Sequence, residues 1–86
     1  MEISREDQIK FAKDILILTE AAKDDPVQLD RLRGLVSLLV SWVGEDNGVA
    51  VNLSEYIGEL TAVAQGKGDV EWRDEFKKNL DQEINA

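Results

Sequence analysis

The sequence predicts an all-α domain, a compact four-helix bundle or orthogonal helical array, and three observations carry that prediction. Apolar residues recur at three- and four-residue spacing in four stretches; residues that cap helices precede those stretches; and Gly44 and Gly66 stand where two of them stop. With 86 residues the chain has room for one domain, 1–86, and its 43% apolar and 33% charged content places it among globular proteins.

The first helix is expected over about residues 5–23. Ser4 with Asp7 three residues on resembles a capping box, and Glu6 and Asp7 suit the positive end of the helix dipole. Phe11, Ile15, Leu18 and Ala22 mark its core face, flanked by Ala12 and Leu16, and Glu6 with Lys10 is spaced for an ion pair. Asp25-Pro26 opens the second helix, about 26–43: the aspartate caps free amides and the proline occupies the first helical position, where no N–H is needed. From Leu35 onward this helix is apolar nearly all round, which predicts a central element covered by the others.

Glu45-Asp46-Asn47-Gly48 reads as a turn, with Val49 to Val51 leading into a third helix over 53–65. Asn52 is its expected cap, Glu55 completes a capping box, Val51 and Tyr56 fall at staple positions, and Leu53, Tyr56, Ile57, Leu60 and Val63 form its core face. Asp69 caps a fourth helix, 70–84, in which Trp72, Phe76, Leu80 and Ile84 make a narrow apolar stripe. Asp74 with Lys78, and Asp69 with Arg73, are its expected ion pairs. Gly34, Ser37 and Ser41 on helix 2, and Ser54, Gly58 and Ala62 on helix 3, form two small-residue stripes; they are expected to pack on each other, with a homodimer seam as the alternative.

Composition narrows the function classes. The chain has no histidine and no cysteine, which removes the usual general base, the common catalytic triads and the zinc sites. No glycine-rich phosphate loop is present, and aligning Gly48 with the glycine of a calcium loop puts Val43 and Ser54 where acidic ligands are required. The expectation is a protein that is not an enzyme and takes no cofactor and no metal. A net charge of −8 repels nucleic acid and anionic lipid, and Leu35 to Val43, the longest nearly apolar run, is far short of a bilayer span. The absence of cysteine and of a signal-like N-terminus points to a cytoplasmic protein, phage or bacterial in setting.

The charge distribution suggests where a partner docks. Between Arg33 and Lys67 there is no basic residue, while Glu45, Asp46, Glu55 and Glu59 fall in that interval. Glu55 and Glu59 stand four apart on one helix, a like-charge spacing that works against folding. The expected partner-binding site is an acidic patch of Glu45, Asp46, Glu55 and Glu59 with Trp42, Val49, Val51 and Tyr56 as apolar anchors. The function this implies is a small acidic inhibitor, immunity-type protein or adaptor, by analogy of class with phage and bacterial anti-defence proteins, that engages a basic protein surface without binding nucleic acid or membrane directly. Mimicry of nucleic acid by the central acids is a variant of it. The alternative is a self-associating structural or assembly protein, or a chaperone for a helical component, which would expose an apolar groove.

Overall fold

The computed structural model of the chain describes residues 3–44 and 48–85, which form four helices with no strand among them: α1 (Arg5–Ala22), α2 (Pro26–Val43), α3 (Gly48–Ala64) and α4 (Val70–Ile84). The molecule measures 35 × 22 × 21 Å. Three helix starts are built by side chains as the sequence implies. Ser4 Oγ accepts from the Asp7 amide at 3.1 Å, Asp25 Oδ1 from Val27 at 3.0 Å and Gln28 at 3.4 Å, and Asp69 Oδ1 from Glu71 at 2.8 Å and Trp72 at 3.3 Å. Gly44 and Gly66 take φ of +88° and +78° at the ends of α2 and α3, a backbone conformation that only glycine adopts without strain.

The third helix departs from expectation. It begins at Gly48, not at residue 53, so Asn52 is no cap; its side-chain amide lies within the helix and donates to the Gly48 carbonyl at 2.6 Å. Val49, Leu53, Ile57 and Thr61 follow one another every four residues and are all buried, with Ala50 beside them. Burial of Val49 and Ala50 repays the β-branched, turn-flanked start that reads as a connector in isolation.

This longer α3 is the central element, and α2 is not. α3 packs along α2 on one side and α4 on another, while α1 lies on both α2 and α3. Only Leu29, Leu32, Val36 and Leu39 of α2 are buried, whereas Leu35, Leu38 and Trp42 remain 47%, 52% and 53% exposed. On α1 the buried set is Gln8, Ala12, Ile15, Thr19 and Ala22, rotated from the expected face, with Phe11 half-buried and Leu18 exposed. The Thr19 hydroxyl, buried on this face, is satisfied by the Leu16 carbonyl at 2.7 Å.

The two small-residue stripes do not pack together. A Cβ built on Gly34 or Gly58 would meet nothing within 4 Å, and the Ser37 and Ser41 hydroxyls turn back to the Arg33 and Ser37 carbonyls on an exposed face. On α4, Leu80 and Ile84 are buried as expected, but Trp72 is exposed and stacks on Phe76 with ring centroids 5.6 Å apart. Within α4 the ion pairs among the described residues are Arg73 with Asp74 at 3.0 Å and Lys77 with Asp81 at 2.8 Å, in place of the two expected, and Glu83 pairs with Arg5 of α1 at 3.1 Å. Asp69 is committed to capping amides, which explains one of the two exchanges.

Candidate functional site

The residues expected to form one acidic patch are distributed over several faces. Glu45 and Asp46 lie outside the described residues. Val49 is fully buried in the core, so it supports α3 and offers nothing to a partner. Val51 and Glu55 share a shallow concavity with Val40 and Ser54 between α2 and α3. Tyr56 is half-buried elsewhere on α3, where Lys77, Arg73 and Asp81 of α4 and Glu20 of α1 are its charged neighbours. Burial pushes its hydroxyl above the ordinary tyrosine range, and Lys77 and Arg73 pull the other way.

Glu59 has a folding role that its spacing from Glu55 conceals. Its carboxylate accepts the Asp69 amide at 3.0 Å, satisfying a backbone group at the start of α4 and tying α3 to the following turn. Gly68 sits against the same place: a Cβ there would fall within 2.6 Å of both the Val63 amide nitrogen and the Glu59 carboxylate. Glu55 is exposed, and its side chain makes no hydrogen bond or ion pair with any described residue.

Trp42 leads to a different site. It lines an apolar groove of about 270 Å³ between the first half of α1 and the last half of α2, together with Ile3, Phe11, Leu35, Leu38 and Leu39, with Asp7 on the rim. Leu35, Leu38 and Trp42 are three and four residues apart, so their side chains stand along one stripe of α2, and each is about half exposed. Further along the same two helices a smaller depression is lined by Leu18, Ala21, Gln28, Arg31 and Leu32. Leu18 lies two turns beyond Phe11, and Arg31 two turns before Leu38, so the groove and the depression share one face of the molecule.

The groove residues other than Trp42 fall outside the acidic patch. Their signal is in the sequence: a helix that is apolar nearly all round has a second face to cover, and the core covers only one here. What the arrangement can do chemically is accept apolar side chains beside a carboxylate. Among the described residues no group of three acidic side chains converges to hold a metal ion, and no described helix is long and apolar enough to cross a membrane. No protein-family model matches the chain, and no curated protein or solved structure proved similar to it.

Proposed function

We propose that this chain is a non-enzymatic protein-binding module, an inhibitor or adaptor in kind, that receives an amphipathic helix of a basic partner protein in the α1–α2 groove. The observation that carries the reading is the run of Leu35, Leu38 and Trp42, each about half exposed and lined up over the half-buried Phe11. Side chains of this size left half in water forgo about 1 kcal/mol each of burial energy, which a partner's apolar side chains recover on docking. Tryptophan is enriched among binding hot spots, and helix-in-groove recognition lays the apolar face of a partner helix into a hydrophobic groove of this kind.

Charge complementarity selects the partner. The chain carries a net charge of −8, Asp7 stands on the groove rim, and Glu6 is its exposed neighbour. A partner helix with lysines or arginines beside its apolar stripe would be steered to this face and held in register by it.

The test is affinity capture from host lysate at low and moderate salt, using wild type beside Leu38→Glu and Glu55→Lys, followed by titration of the purified captured protein. The reading expects a partner that is lost with Leu38→Glu, kept with Glu55→Lys, and held more weakly as salt rises. A partner that survives Leu38→Glu in a variant with unchanged helical circular dichroism would overturn the groove. A partner lost with Glu55→Lys alone would return the site to the α2–α3 side.

A further inference from the structure

The groove and the depression lie along one valley between α1 and α2, and its two walls share a spacing. The α2 wall is Arg31, Leu35, Leu38 and Trp42; the α1 wall runs through Asp7, Phe11 and Leu18, with the exposed Asp14 completing the series. Each set steps by four, three and four residues, the alternation by which a helix keeps one stripe toward a neighbouring helix. Leu32, Val36 and Leu39 already serve the core from the other side of α2, so the stripe of the α2 wall is additional to what the fold uses.

The two ends of the valley carry opposite charge. Asp7 stands on the rim at the Trp42 end, Arg31 lines the depression beside Leu18, and neither makes an ion pair with any described residue. Neighbouring charges are committed elsewhere: Lys10 pairs with Glu6 at 3.8 Å, and Arg33 with Asp30 at 2.7 Å. From Asp7 to Leu18 is eleven residues of helix, so the two free charges stand about 16 Å apart along the valley.

We infer that the segment this valley selects is a helix of coiled-coil type with a charge polarity. Its apolar residues alternate three and four apart over about three turns; a lysine or arginine marks its Trp42 end and a glutamate or aspartate its Arg31 end. Laid in the valley, such a helix forms a three-helix arrangement with α1 and α2 and gives Asp7 and Arg31 each an opposite charge. Asp14, halfway along the α1 wall, offers a place for a second cation. A uniformly basic helix sets like charge against Arg31, and a uniformly acidic one sets it against Asp7. The net charge of −8 favours cations from afar, but at physiological salt that field is screened beyond about 8 Å, so the charges at the two ends decide between helices already in contact. The inference rests on the reading of the α1–α2 groove as the docking surface, and it specifies the partner's recognition pattern.

Isothermal titration calorimetry of the full chain with three designed helical peptides, their termini blocked, tests it. All carry the same leucines, alternating three and four apart. One has lysine at one end of the stripe and glutamate at the other, one has lysine at both ends, and one has glutamate at both. The mixed peptide can lie in whichever direction matches the valley, so chain direction does not enter the comparison. Wild type should bind the mixed peptide about fivefold more tightly than either of the others. Arg31→Glu should move the preference to the two-lysine peptide. Asp7→Asn, which leaves no charge at that end, should make the mixed and two-glutamate peptides equal. Leu38→Glu should abolish binding of all three, with circular dichroism showing each variant folded. Equal affinity of wild type for the three peptides, or preferences that Arg31→Glu and Asp7→Asn do not move, would overturn the charge polarity and leave the groove standing if Leu38→Glu still abolishes binding. No binding of any peptide at millimolar concentration, or binding untouched by Leu38→Glu, would overturn the groove and the inference together.

Discussion

The Glu59 carboxylate accepts a hydrogen bond from the backbone N–H of Asp69 at 3.0 Å, across ten residues of chain. Asp69 in turn gives its own carboxylate to the amides of Glu71 and Trp72, so the junction of α3 and α4 is held by two carboxylates acting in series. An acidic residue that reads as surplus charge in the sequence is thereby part of the fold.

Glu59→Ala should lower stability by about 1 kcal/mol, since it removes a charge-assisted bond at an exposed site and leaves an amide to water. Glu55→Ala, which removes no bond and relieves a like charge, should change stability by less than about 0.5 kcal/mol. Urea denaturation of the two variants measures the difference. Equal effects would show that the Glu59–Asp69 bond contributes nothing to the folded state in solution.

The glycines separate by what surrounds them. Gly68→Ala drives a methyl onto the Val63 backbone nitrogen, which cannot yield as a side chain would, and should cost about 1–3 kcal/mol. Gly34→Ala and Gly58→Ala place a methyl in open space within a helix and should each stabilise by about 0.5–1 kcal/mol. Thermal melts of the three variants should therefore fall on opposite sides of wild type. A destabilised Gly58→Ala would indicate close helix approach at that point after all.

Tyr56 makes stability depend on alkaline pH. Its ionisation is raised in the folded state by burial, so the folded chain holds the phenolic proton more tightly than the unfolded one. The stabilisation is fully present below the ordinary tyrosine value of about 10 and is lost as pH rises from there through the folded-state value. Because the chain has one tyrosine, its phenolate absorbance reports this group alone. The midpoint should lie above that of the urea-unfolded protein, and Tyr56→Phe should lessen the fall in stability above pH 10. Coincident midpoints in the folded and unfolded protein would contradict the burial of Tyr56.

The caps show which parts of the fold were legible in the sequence. Ser4, Asp25 and Asp69 each bond amides two or three residues ahead, an interaction complete within one turn, and each starts its helix where composition says. The start of α3 was not legible by that rule, because Val49 and Ala50 are held in the helix by burial against other elements. The candidate site divided in the same way: Trp42 stands on a groove, but Val49, Tyr56 and Glu59 serve the core or the junctions between helices. Leu38 and Leu39 are adjacent and chemically identical, yet one is 52% exposed and the other 4%.

By itself the sequence determined the fold class of the protein, the number of its helices and most of their ends. Those properties follow from composition and from interactions between residues close in the chain. Tertiary structure alone decided that α3 and not α2 lies at the centre, which face of α1 turns inward, and that the outer stripe of α2 is left uncovered. A helix with apolar residues on several sides satisfies the hydrophobic effect equally well with any of them buried, and only the position of its neighbours breaks that degeneracy.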